Sequence, residues 1–304
     1  MPHEKNVLSI DELNYLAINH IIKKSFYYKK KKTTSKFNKK IIGNLFFEPS
    51  TRTCCSFKAA IFKGGGMVIE YNPENSSTKK GETIEDTIKT MEQYCNALII
   101  RHPEKGIVER CAEQVNIPVI NAGDGNGEHP SQALLDFFTI LHYFHLPGKI
   151  TITFCGDLKN SRTSHSLIKL LDKMNHEITF YFVSDDRLRL EDDFIKTIKN
   201  MCIFSCDLTN VIEKTDVLYM IRLQKERFED PTIEIDSMVL TPEVLSKGKE
   251  TMIVLHALPR NEELPKECDT DPRCKYFEQM KNGVYVRMAL LDYCLLPKKK
   301  FWFI

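Results

Sequence analysis

Short apolar runs alternate with helix-spaced segments along almost the whole chain, and that alternation leaves few folds open to it. Residues 41–47 form an apolar run ending in Glu-Pro, which reads as a buried strand. Residues 50–62 have helical spacing and stop at Gly64-Gly65-Gly66. Residues 67–71 read as a strand, 83–94 as a helix, and 97–100 and 117–121 as two more strands. A helix over 131–146 follows, Pro147-Gly148 punctuates the chain, and the alternation restarts. Strands are expected at 149–155, 178–184, 201–204, 217–220 and 251–255, with helices at 161–174 and 283–296. This is the pattern of parallel α/β sheets. A chain of 304 residues, at roughly 150 residues per domain, has room for two of them.

Ser9-x-x-Glu12 has the form of a capping box and predicts a first helix carrying apolar residues at 13, 16, 17, 21 and 22. Residues 29–40 are basic and read as a solvated loop. A nucleic-acid contact there is the alternative, but 43 basic against 41 acidic residues leaves no basic surplus. No apolar run reaches 18 residues, and the most apolar stretch, 133–146, contains Asp136, His142 and His145. The opening residues lack a secretory apolar core. Ten scattered cysteines without a CxxC pair read as free thiols in a reducing compartment. The expectation is a cytoplasmic chain that engages neither membrane nor nucleic acid.

Only 11 residues are arginine against 32 lysines, so each arginine position carries information. Arg52, Arg101, Arg162, Arg222, Arg227 and Arg260 all fall at the carboxyl ends of expected strands, where open α/β sheets bind ligands. They point to a cleft between two domains that gathers anionic groups. Arg110, Arg187, Arg189 and Arg273 read as surface residues, and Arg287 as a structural ion-pair residue. In Ser50-Thr51-Arg52-Thr53, Ser50 can cap a helix whose first amides form an anion site, with Arg52 as a guanidinium fork. An ordinary capped helix is the alternative. The glycines of Gly123-Asp124-Gly125-Asn126-Gly127 do not fit GxGxxG and instead permit a tight path that presents His129 and Gln132. Cys54 and Cys55 sit near a helix N-terminus, but packing is the expected role. No nucleophile motif and no metal-ligand spacing is present, so neither metal nor cofactor is expected.

Ser50-Thr51-Arg52-Thr53 followed by Ser56-Phe57 resembles the phosphate signature of the carbamoyltransferase superfamily. Lys79-Lys80-Gly81-Glu82-Thr83, Arg101-His102-Pro103, His129-Pro130-Ser131-Gln132, Asp157-Leu158-Lys159 with Arg162-Thr163, and Arg222-Leu223-Gln224-Lys225-Glu226-Arg227 resemble its aspartate branch, over nearly the whole length. The ornithine branch carries His-Cys-Leu-Pro where this chain has His256-Ala257-Leu258-Pro259. The aspartate branch often has proline at the position of Ala257.

The resemblance implies two doubly wound parallel-sheet α/β domains with a shared cleft and a final helix crossing back to the first. It places a carbamoyl-phosphate-binding domain at 1–132 plus 284–304, a linking helix at 133–147 and an aspartate-binding domain at 148–283. By resemblance, Ser50, Thr51, Arg52 and Thr53 bind phosphate, while Thr53, Arg101 and His129 polarise the carbamoyl carbonyl. Gln132 and the Leu258 carbonyl hold the carbamoyl amino group, with a cis bond between Leu258 and Pro259. Arg162 takes the α-carboxylate of aspartate, and Arg222 with Gln224 the β-carboxylate. Ser76 and Lys80 lie on a loop that reaches the neighbouring subunit's site, so a homotrimer is implied, and a separate regulatory chain remains open. The implied reaction joins carbamoyl phosphate and L-aspartate without a covalent intermediate.

Overall fold

In the computed structural model the described residues are 5–73, 76–144, 148–174, 176–223 and 236–296. They fall into two units, Met1–Leu134 with Asn282–Ile304, and Leu135–Lys281. The divisions lie inside two helices, α5 (Pro130–Tyr143) and α9 (Tyr276–Leu295).

The first unit is built on four parallel strands, β1 (Ile41–Phe46), β2 (Met67–Tyr71), β3 (Ala97–His102) and β4 (Val119–Asp124), in the order β2-β1-β3-β4. β1 is central and its middle four residues are buried. Helix α1 (Tyr15–Lys31) precedes the sheet, and α2 (Thr51–Lys63), α3 (Ile84–Glu92) and α4 (Ile107–Glu113) connect the strands and pack on them. Ile88, Met91, Ile107, Val108 and Cys111 pack against Leu45, Leu98 and Ile100 to form a core on one face. Val7 pairs alongside β4, with its N–H on Val119 O and its carbonyl accepting from Asn121 N–H, which covers that sheet edge.

The second unit has five parallel strands: β5 (Ile150–Cys155), β6 (Ile178–Val183), β7 (Met201–Ser205), β8 (Val217–Met220) and β9 (Ile253–His256), in the order β7-β6-β5-β8-β9. Helices α6 (Arg162–Lys173), α7 (Asp192–Ile195) and α8 (Pro242–Ser246) lie between them in sequence. Both sheets are doubly wound. The chain steps one way from β1 and from β5, then returns to add strands on the other side. The topological switch points lie between β1 and β3 and between β5 and β8, and such points are where open α/β sheets take ligands.

Local signals misplaced some boundaries. Ser9 Oγ does accept from Glu12 N–H, but the bond closes a turn, and Asn14 caps α1 by accepting from Ala17 N–H. The basic stretch is not all loop: Lys29, Lys30 and Lys31 form the last turn of α1, and Lys36 pairs with buried Asp292 at 2.9 Å. The final helix begins at Tyr276 rather than 283, because Tyr276, Gln279 and Asn282 are buried and packing overrides the helix-weakening Gly283. Helix α4 has no cap in its own sequence. The Asp124 carboxylate, from the end of β4, accepts from Gly106 N–H (2.9 Å) and Val108 N–H (3.4 Å) in its place.

Candidate active site

At the first switch point, β1 and β3 are neighbours in register, with Phe46 opposite Arg101. The chain leaves β1 through Phe47-Glu48-Pro49 and enters α2 at Thr51. Ser50 is extended (φ −156°, ψ 106°), and its side chain makes no capping hydrogen bond, contrary to the capping expected from sequence. The first amides of α2 have no intrahelical acceptor, so the turn presents N–H groups and the positive end of the helix. Thr51 and Arg52 are exposed and Thr53 is buried.

Arg101 is anchored from the same turn. Its Nε lies 2.6 Å from Glu48 Oε1, and its Nη1 donates to Ala122 O at 3.5 Å. No motif in the sequence marks Glu48. The available signal was its place at the end of a strand next to the one bearing Arg101. His129 is 3% exposed, with Nε2 3.4 Å from Thr53 Oγ1 and Nδ1 3.4 Å from Ser131 Oγ. Gln132, at the start of α5, is also buried, and its N–H donates to His129 O. The structure therefore brings Thr53, His129 and Gln132 together, 76 residues apart in chain at the Thr53–His129 contact.

The glycine loop before His129 is structural. Gly125 has φ +49°, and a Cβ there would lie 2.5 Å from Lys105 N and 2.7 Å from Pro103 O. Ser76 is half-buried, near Tyr71 Oη (2.9 Å) and donating to Pro73 O (3.0 Å). Lys80 ends a short 3₁₀ turn, Ser77–Lys80, and is exposed.

In the second unit, Arg162 opens α6 behind the N-cap Ser161, which accepts from Ser164 N–H at 3.4 Å. Asp157 is fully buried and shapes the preceding turn by accepting from Asn160 N–H and Nδ2–H, each at 3.1 Å. Gly156, with φ +129°, passes so close to β8 that a Cβ would meet Ile221 O at 2.3 Å. Arg222 follows β8 and is half-buried; its expected partner Gln224, with Lys225 and Arg227, lies outside the described residues. The Leu258–Pro259 bond is cis, Leu258 has φ +53°, and Leu258 N–H donates to His256 Nδ1 at 2.7 Å.

Residues 5–142 match the family model for the carbamoyl-phosphate-binding domain of aspartate/ornithine carbamoyltransferases, and residues 148–294 match its aspartate/ornithine-binding domain. The chain belongs to the aspartate/ornithine carbamoyltransferase family. It is 47% identical over 258 residues to the multifunctional protein pyr1-3 of Dictyostelium discoideum, spanning 83% of this chain but only 12% of that protein. It is 43% identical over 300 residues to an aspartate carbamoyltransferase catalytic subunit of Archaeoglobus fulgidus, covering 96% of this chain and 99% of that one. The crystal structure of Trypanosoma cruzi aspartate transcarbamoylase with carbamoyl phosphate and aspartate is similar at a TM-score of 0.90 and 36% identity, over 97% and 98% of the two chains.

The surroundings of two residues differ from what the sequence suggests. Arg260 is not an anion-seeking strand-end arginine. It forms a two-point pair with Asp269, donates to Tyr276 Oη at 3.0 Å, and lies over the Tyr276 and Phe277 rings. Cys55 is exposed rather than packed. Burial raises the Cys54 pKa above the usual thiol range despite a hydrogen bond from Asn44, so the nearby helix terminus does not activate it. Arg287 is 3% exposed, and its guanidinium lies 5.0 Å from the centre of the Phe57 ring.

Proposed function

We propose that this chain transfers the carbamoyl group of carbamoyl phosphate to the amino group of L-aspartate, giving N-carbamoyl-L-aspartate and phosphate. One contact carries most of the reading: buried Thr53 Oγ1 and His129 Nε2 lie 3.4 Å apart. That contact joins the Ser-Thr-Arg-Thr turn to the His-Pro-Ser-Gln segment in a chain similar to a transcarbamoylase solved with both substrates. Ser50, Thr51, Arg52 and Thr53 bind the phosphate through amides, hydroxyls and guanidinium. Thr53, Arg101 and His129 stabilise the oxyanion that forms when the neutral amine attacks the carbamoyl carbon, with Glu48 holding the Arg101 fork. Gln132 and the Leu258 carbonyl hold the carbamoyl amino group, Arg162 the α-carboxylate, and Arg222 with Gln224 the β-carboxylate. The departing phosphate takes the amine proton, so neither a covalent intermediate nor a metal enters the scheme. Gathering two anionic substrates supplies a large part of the rate through proximity.

The same reading makes the chain an early enzyme of pyrimidine synthesis, cytoplasmic, acting as a homotrimer with or without a regulatory chain. Among the described residues no helix is long and apolar enough to cross a membrane. Ser76 and Lys80 serve the neighbouring subunit's site. Mixing inactive Lys80→Ala with inactive Arg52→Ala chains is then expected to restore activity, because some sites take both intact residues; no recovery on mixing exchanged trimers would end the shared-site reading. The reaction itself is tested by product formation with aspartate and, separately, ornithine. Carbamoyl aspartate from the wild type, and about 1,000-fold less efficiently from Arg52→Ala, is expected. Product with ornithine alone would overturn the role of Arg222.

A further inference from the structure

His256 and Glu263 take no part in the scheme above, yet they are 1% and 0% exposed. Leu258 N–H donates to His256 Nδ1 at 2.7 Å, so Nδ1 carries no proton. The ring proton therefore sits on Nε2, 3.0 Å from Glu263 Oε1, and is donated to it. The Glu263 carboxylate also accepts from Asn261 N–H on Oε1 (2.8 Å) and from Leu223 N–H on Oε2 (3.4 Å). Burial alone would raise the carboxyl pKa; the bonds from His256 and Asn261 outweigh it and hold it below the ordinary range. One buried carboxylate thus ties the residue after Arg222 to the turn that carries Leu258. The pair is braced from behind. His256 N–H donates to Gln279 Oε1 (2.9 Å), Gln279 Nε2 donates to Asp136 Oδ1 (2.6 Å), and Tyr219 Oη donates to Asp136 Oδ2 (2.8 Å). All of these groups belong to the second unit.

We propose that His256 and Glu263 form a positioning pair with a division of labour: His256 aims the Leu258 carbonyl, and Glu263 sets the backbone at Arg222. This rests on the functional reading above and deepens it. A satisfied buried network holds its members in one geometry, and a misplacement of about 1 Å at a reacting group can cost about 100-fold in rate.

Three variants separate the two roles. In Glu263→Gln the amide oxygen keeps the His256 and Asn261 donors, since the flipped amide would face both with hydrogens. The –NH₂ is left against Leu223 N–H. The aspartate KM is expected to rise about tenfold, with the carbamoyl-phosphate KM within about twofold. His256→Leu removes the acceptor for Leu258 N–H. It is expected to lower kcat/KM for carbamoyl phosphate about 100-fold, and His256→Asn, whose carbonyl replaces Nδ1, to recover at least about tenfold of that loss. A role in stability alone would shift melting without this split between substrates. An unchanged aspartate KM in Glu263→Gln overturns the proposal even if His256→Leu does not fold. So does His256→Asn performing no better than a folded His256→Leu. If the wild type makes no carbamoyl aspartate, the functional reading has failed. An active wild type with unmoved variants means that only the positioning pair has failed.

Discussion

On the proposed function, the two switch points meet anions by different means. In the first unit, the turn from β1 into α2 offers backbone amides and a helix terminus, with Arg52 and Arg101 beside them. The amides belong to the turn itself, while Arg101 comes from the neighbouring strand β3. In the second unit, the groups are guanidiniums, Arg162 and Arg222, on turns held by buried carboxylates, Asp157 and Glu263. The first arrangement suits a phosphate, whose oxygens can accept many N–H donors at once. The second suits planar carboxylates met by planar forks. On the proposed function, the phosphate side joins one helix start to the contact from Thr53 to His129, while on the carboxylate side Glu263 ties together two turns 40 residues apart.

The sharpest break in that comparison is Arg52→Ala. It is expected to lower kcat/KM by about 1,000-fold, about 4 kcal/mol of transition-state binding, because a desolvated phosphate loses its charged partner. Arg222→Lys should leave carbamoyl-phosphate binding by calorimetry intact while raising the aspartate KM about 10- to 100-fold. An ammonium keeps the charge but not the fork. A loss of carbamoyl-phosphate affinity in that variant would contradict the separation of the two sides.

Gly156→Ala is expected to lower stability by about 2 kcal/mol or more in denaturant unfolding, because the new Cβ meets backbone at Ile221 and the φ of +129° is strained. The smallest effect is electrostatic. The hydrogen bond from Arg260 holds the Asp269 pKa down at about 2, from an ordinary 3.8. A depressed carboxyl pKa contributes stability above the ordinary value and loses it as pH falls through the depressed one. Arg260→Ala should therefore melt lower than wild type at pH 5, by a small margin at this partly exposed pair, and the gap should close between about pH 4 and pH 2. A gap that stays constant to pH 2 would mean that the loss comes from stacking on Tyr276 and Phe277 instead.

What was legible in the sequence follows the same divide. The strand–helix alternation and the Ser-Thr-Arg-Thr turn are contiguous signals, so the sheets and the first switch point could be read directly. Arg101 is legible because arginines are few and this one lies at the end of a strand. Glu263 and Gln279 left no local trace, since their value lies in partners such as Asp136, 143 residues from Gln279. The α1 start was misread because the Ser9–Glu12 bond is real but closes a turn that Asn14 outcompetes as a cap. The exposure of Cys55 is not legible locally, because neighbouring positions on one helix turn face different surroundings and only the fold says which face is covered.

The first unit holds contacts that the chain can complete only after the second unit has been synthesised. Tyr28, Lys24 and Lys36 converge on the buried carboxylate of Asp292, and the Lys5 ammonium donates to Leu296 O. A ribosome releases these partners more than 250 residues apart, at roughly 5–20 residues per second. The contacts of the early segment with Asp292 can therefore form only after the contiguous second unit has been made.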